Sequence, residues 1–194
     1  MKRTPFYLGG IVFLAVTLIF GQEEAEKPHI YAGVKRCQVC HETTDMGDQY
    51  SVWAASKHAK AYETLTTDEA NKIAQEWGLK TPAKDAPECL TCHVTGHNDS
   101  TAQFGTKFDK TQGIQCESCH GAGDSYRKQD IMCDRDLAIA KGLILPKPEF
   151  CLTCHNEKSP RYKEFDYDKF YAQIEHHKNP DYQCESDESE DEEW

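Results

Sequence analysis

The sequence predicts a mostly α-helical fold in which short helices and long loops wrap around something other than an ordinary apolar core. Three observations lead there. Apolar residues recur at helical spacing next to capping residues, strand-type alternation is nearly absent, and only 38% of the 194 residues are apolar even with ten cysteines counted among them. That fraction is thin for a chain of this length. The length allows one domain or two small ones, and one is the simpler reading.

In chain order, Lys2 and Arg3 precede an uncharged apolar run from Phe6 to Phe20, and the chain turns acidic at Glu23. This is the layout of an export signal over residues 1–21, with cleavage near 21–25. The run falls short of the roughly 20 residues a membrane-crossing helix needs, so membrane association is expected only through this segment left uncleaved. A folded domain is expected over 30–182. Residues 183–194 read as an acidic, disordered, solubilising tail, because seven acids lie in the last ten positions and repel one another. The formal charge of −11 becomes −13 without residues 1–21, which hold two cations and no acid. Nucleic acid is excluded as a partner.

Within the domain, Tyr50, Ala54, His58, Ala61 and Leu65 fall on one face of a helix that ends before Thr66. Thr66 and Glu69 form a capping box for a second helix closed by Gly78. Asp134 caps a short helix through Lys141, with Gly142 behind it. Asp166 opens another that ends near His177, because Pro180 restricts Asn179. The stretches 80–88, 95–115 and 142–150 read as loops.

One motif recurs at unequal intervals: Cys37-Gln-Val-Cys40-His41, Cys89-Leu-Thr-Cys92-His93, Cys116-Glu-Ser-Cys119-His120 and Cys151-Leu-Thr-Cys154-His155. Two cysteines one helical turn apart suit thioether bonds to the two vinyl groups of one haem, and the adjoining histidine then faces the iron. Structural zinc and a disulfide framework also use paired cysteines. Neither explains a histidine in the fifth position four times. The motifs therefore imply four c-type haems, whose macrocycles would supply the missing core, leaving a chain that folds poorly without them.

The sixth ligand decides whether a haem carries electrons or binds substrate. Outside the motifs the candidates are His29, His58, His97, His176, His177, Met46 and Met132. His58 lies in the apolar stripe just described and is a candidate ligand. His97 follows His93 by four residues and would emerge on the same side of that haem, so it reads as a surface histidine. The stripe of Tyr167, Phe170, Tyr171 and Ile174 points more nearly at His177 than at His176. His29, close to the signal junction, is expected to be mobile. Cys133 and Cys184 belong to no motif and are candidates to pair in an oxidising compartment.

The runs Trp53-Ala-Ala-Ser-Lys-His58-Ala-Lys-Ala61 and Gly113-Ile-Gln-Cys116-Glu-Ser-Cys119-His120-Gly-Ala-Gly123, with the order of the four motifs, resemble the cytochrome c-554 family of periplasmic tetrahaem electron carriers. The likeness covers about Tyr31 to Pro180. It implies a mostly α, multihaem cytochrome c fold around four closely packed haems. It implies that His58 is the distal ligand of the His120 haem, that His176 serves the first haem, and that the His93 haem lacks a sixth ligand. The sequence departs from the family where Asp130 stands in place of a ligand histidine. Met132 is the nearest substitute there, which would give a His/Met fourth haem, and an ordinary core methionine is the alternative.

The leading expectation is a periplasmic or otherwise exported electron carrier. Its partners would be other cytochromes or a membrane quinol-oxidising complex, and no catalytic residues are expected. The alternatives are a haem reductase of a small nitrogen or sulfur compound at an open His93 haem, and a subunit of a larger multihaem assembly.

Overall fold

Backbone hydrogen bonding over residues 28–184, the part that the computed structural model describes, closes ten α-helices of four to nine residues and one sheet of two two-residue strands. The expectations for residues 1–21 and for the acidic run beyond Cys184 lie outside the described residues. Helices this short do not hold themselves in water, so their order comes from what they pack on. Among the described residues no helix is long and apolar enough to cross a membrane.

The elements run β1 (Ile30–Tyr31), α1 (Val34–His41), α2 (Gln49–Ala55), α3 (Ala61–Thr64), α4 (Asp68–Glu76), α5 (Pro87–His93), β2 (Gln103–Phe104), α6 (Glu117–His120), α7 (Gln129–Met132), α8 (Arg135–Ala140), α9 (Pro148–Cys151) and α10 (Tyr167–Tyr171). Strands β1 and β2 pair in parallel with Ile30 opposite Gln103. Three short 3-10 turns (Ala83–Asp85, Lys110–Gln112 and Gly123–Ser125) and loops fill the rest, so the mostly helical expectation holds.

Three helix boundaries differ from the sequence reading. The single helix expected from Tyr50 to Leu65 breaks at Ser56, which is extended (φ −77°, ψ 163°). The break turns the His58 carbonyl outward to accept from both Ala61 N and Ile114 N, a tertiary contact that a continuous helix forbids. The cap of α4 is Thr67, whose side chain accepts from Ala70 N, whereas the Thr66 hydroxyl donates backward to Glu63 O. Helix α10 starts under Asp166 as expected but stops at Tyr171. Beyond it the chain is drawn to the 45–49 turn, where Gln49 donates to His177 O and Asn179 donates to Met46 O and Asp45 O. The α8 reading stands: Asp134 accepts from Leu137 N and Gly142 has φ +108°.

Side-chain burial is slight. The main apolar cluster is Leu65, Ala70, Ala74, Ala83, Leu90 and Val94, half of it alanine, and it joins α4 to α5. Large apolar residues such as Val39 and Leu152 remain 70% and 49% exposed. A polar clasp compensates at the chain's start. Glu117, 2% exposed, accepts from Ala32 N, Gly33 N and Gly123 N at 2.7, 2.8 and 2.6 Å, and Gln115 accepts from Val34 N at 2.7 Å. Gly33 has φ +89°, and a Cβ there would lie 2.7 Å from Lys107 O, so only glycine lets the 105–108 loop close over it. Cys133 and Cys184 form a disulfide, Cα atoms 5.8 Å apart.

Candidate haem-binding site

Each motif occupies a single turn, which sets its two sulfurs on one side. Cys37, Cys40 and His41 lie on α1, and Cys89, Cys92 and His93 on α5. Cys116 caps α6, which carries Cys119 and His120. Cys151 ends α9, and His155 N bonds back to Cys151 O at 2.9 Å. All eight motif cysteines are free thiols, so the one disulfide leaves the motifs alone. Among the described residues no three His, Cys, Asp or Glu side chains converge as a metal-ion site, and a zinc centre would need four ligands.

The motifs are interleaved in space. The Cys37 thiol is pushed up by the neighbouring Cys116 and the Cys92 thiol by the neighbouring Cys154, which sets motif one beside motif three and motif two beside motif four. Between them runs a cavity of about 1890 Å³ whose walls include Cys89, Cys92, Cys119, Cys151 and Cys154 with His58, His93 and His155. Pockets for one drug-sized ligand hold roughly 300–1,000 Å³. This space therefore takes several large flat groups, and its apolar wall (Leu65, Ile73, Ala74, Trp77, Leu79, Ile114) suits a macrocycle. Basic residues Lys57, Lys128, Lys141, Lys147, Lys158 and Arg161 also line it, chemistry that suits propionates. The residues fit haem.

Histidine orientation is set by what each Nδ1 meets. His93 Nδ1 lies 2.7 Å from Ala61 O, His120 Nδ1 3.1 Å from Ile144 O, and His41 Nδ1 3.1 Å from the Gln49 side-chain oxygen. An oxygen acceptor requires the proton on Nδ1 and leaves the Nε2 lone pair for a metal. His176 is arranged alike, Nδ1 2.8 Å from Ile174 O. His177 is reversed: its Nε2 is 3.0 Å from Glu175 and its side chain is 74% exposed. The geometry favours His176 over His177, against the periodicity of α10.

His58 is placed by the third-motif approach. Ile114 N donates to His58 O, Trp53 Nε1 donates to Ile114 O at 2.7 Å, and a Cβ on Gly113 (φ +69°) would sit 2.5 Å from His58 O. The two runs that carry the family resemblance are thus bonded to each other. The His58 ring centre is 6.0 Å from that of His155, and the His176 ring centre is 6.0 Å from that of His120. Imidazoles bound at roughly 2 Å on opposite sides of one metal ion have ring centres about 6 Å apart. The contacts differ from the pairing the resemblance implies, which set His58 with His120 and His176 with the first haem. Burial and the neighbouring His155 hold the His58 ring below its ordinary pKa, and burial does the same for His120.

Met132 is half-buried on α7 and is absent from the cavity wall, which Ile131 reaches instead, and Asp130 is exposed. His97 is exposed, as expected. His29 is held by Asp99, 2.9 Å from its Nδ1. The sequence reading missed three other contributors. Phe165 stacks on His155 with ring centres 4.6 Å apart. Asp99 collects side chains from both sheet strands' surroundings. Glu117 lies inside the third motif, where burial pushes its carboxyl up against the pull of three N–H donors. A glutamate between two cysteines offers no periodic signal.

Comparison with known proteins adds three findings. The family model described as cytochrome c554 and c-prime matches residues 36–121. A curated relative, cytochrome c-554 of Nitrosomonas europaea, is 35% identical over 170 residues, which is 75% of this chain and 66% of the relative, just under two thirds of its length. The solved structure of the reduced state of cytochrome c554 from Nitrosomonas europaea superposes with a TM-score of 0.52 at 25% identity, over 75% of this chain and 79% of that one.

Proposed function

The chain belongs to the cytochrome c-554 family, and from that premise we propose that it is an exported electron-transfer protein carrying four covalent c-type haems. Thioethers form at Cys37/Cys40, Cys89/Cys92, Cys116/Cys119 and Cys151/Cys154, and His41, His93, His120 and His155 take the irons. His58 is the distal ligand beside His155 and His176 the one beside His120. His58 thereby fills the position for which Met132 was the substitute. Each haem supplies a reversible one-electron couple.

The residues of the chain do the remaining work. Backbone and Gln49 oxygens hold the proton on Nδ1 of His41, His93 and His120, which orients each ring and raises its basicity. The small apolar cluster and Trp77 keep water off the inner faces. The single observation that carries the reading is four Cys-x-x-Cys-His turns, three of which line one shared cavity. Haems held at the interleaved motifs would lie near one another, and would supply a path for electrons through the chain. The donor and acceptor are redox proteins of the exported compartment.

Intact mass spectrometry tests it: the purified chain is expected to carry four haem masses, and a potentiometric titration should show four one-electron steps. A chain loaded with zinc and free of haem overturns the proposal. The alternative of a haem reductase needs an empty sixth position at the His93 iron.

A further inference from the structure

Four histidines assigned to iron and positioned by a resolved Nδ1 contact (His41, His93, His120 and His176) share one arrangement, Nδ1 on an oxygen and Nε2 free. One histidine with no assigned role has it too. His29 Nδ1 meets Asp99 Oδ2 at 2.9 Å, and Asp99 is itself fixed by Tyr31 Oη at 3.2 Å and by Thr101 N and Oγ1 at 2.9 and 2.8 Å. Burial alone would push the Asp99 carboxyl up, but the hydrogen bonds from Thr101, His29 and Tyr31 outweigh it and bring it down to about 2. Asp99 is therefore an anion at any working pH, and the tautomer that donates Nδ1–H to it leaves Nε2 for a metal. A carboxylate behind an imidazole is the usual support of a metal-bound histidine.

The position follows from the chain. Val94, Gly96, Asn98 and Asp99, the segment that leaves His93, line the cavity together with His93, His29 and Tyr31. That segment is folded tightly, with His97 N bonded to Val94 O and Asp99 N to Gly96 O, and the Tyr31 ring lies against Gly96. His29 is tethered to the loop that directly follows the second motif. His120 and His155 each have a histidine partner ring, and of the other two motif histidines only His93 opens into the cavity that His29 lines.

We propose that His29, oriented by Asp99, is the sixth ligand of the iron held by His93, closing a site that the family resemblance leaves open. The proposal rests on the four-haem reading. It makes that haem an electron carrier with two histidines and removes the vacancy at the His93 iron that the reductase reading needs.

The test is His29→Ala in the holoprotein, read by electron paramagnetic resonance and by carbon monoxide titration of the reduced form. The side chain is 53% exposed, so the change leaves no cavity. The variant should convert one haem from low to high spin, take up one equivalent of carbon monoxide more than the unaltered protein, and return to low spin on added imidazole. Asp99→Asn should keep the ligand and raise that haem's midpoint potential. Unchanged spin states and unchanged carbon monoxide uptake in His29→Ala overturn the proposal, as does a conversion traced to a haem other than that at Cys89 and Cys92. Haem content stays at four per chain either way, and a lower count would strike the four-haem reading instead.

Discussion

Removing the Glu117 carboxylate should unfasten the start of the domain. Three backbone N–H groups from two distant segments converge on it, and hydrogen bonds to a charged acceptor contribute about 1.5–3 kcal/mol each. The gross loss in Glu117→Ala is offset by relief of the carboxylate's own burial, and the net cost of breaking a buried charged contact is about 3–5 kcal/mol. For a domain of this size each kcal/mol moves Tm by about 2–4 °C, which gives a drop of roughly 6–20 °C. Glu117→Gln separates shape from charge. Its oxygen can still serve Ala32 N and Gly123 N, but its NH2 then faces the Gly33 N–H, so one bond is lost and one donor buried, about half the alanine effect. Far-UV circular dichroism and Soret absorbance of the oxidised holoprotein, scanned at two heating rates, measure both variants. A Tm for Glu117→Ala within about 2 °C of the parent, which corresponds to 1 kcal/mol or less, would refute the clasp.

Three further outcomes are expected. His58→Ala should turn one low-spin haem high-spin with all four haems retained, and an unchanged spectrum would make His58 an ordinary buried histidine. His58 and His120 are held below the usual histidine value of about 6.5 by burial. A ring must be deprotonated to hold iron, and burial already disfavours its protonated form, so acid titration should raise the high-spin fraction with a midpoint below that value. A loss of ligation on the alkaline side would reverse the sign and sink the argument. Cys133→Ser with Cys184→Ser opens a link across 51 residues, worth about 4 kcal/mol in the chain-entropy account, so Tm should fall by roughly 8–16 °C; equal melting with and without reductant would contradict it.

The motifs were legible because thioether chemistry fixes both residue type and spacing, and the capping residues Asp134 and Asp166 were legible because their bonds are local. What escaped was decided by contacts far apart in sequence. His58 was visible in a helical stripe, yet Ile114 breaks the helix to place it. The orientation of the His176 and His177 rings comes with a segment pulled toward Met46, which no periodicity in α10 encodes. His29 read as mobile because nothing near it in sequence restrains it, whereas its restraint is Asp99, seventy positions away. The cofactor reading supplies what the composition lacks: an alanine-rich cluster and exposed Val39 and Leu152 make sense once macrocycles count as core.

The thiol contacts between motifs bear on how the molecule is made. In the folded polypeptide Cys37 neighbours Cys116 and Cys92 neighbours Cys154, so before haem attachment a two-electron oxidation of either pair would deprive two haems of an attachment point at once. An oxidising compartment would offer that chemistry to all ten cysteines. The native shape is therefore hazardous before the haems are in place. Loading each motif before the tertiary structure closes would avoid that cross-link, with the disulfide then closing on a polypeptide whose other thiols are already spent.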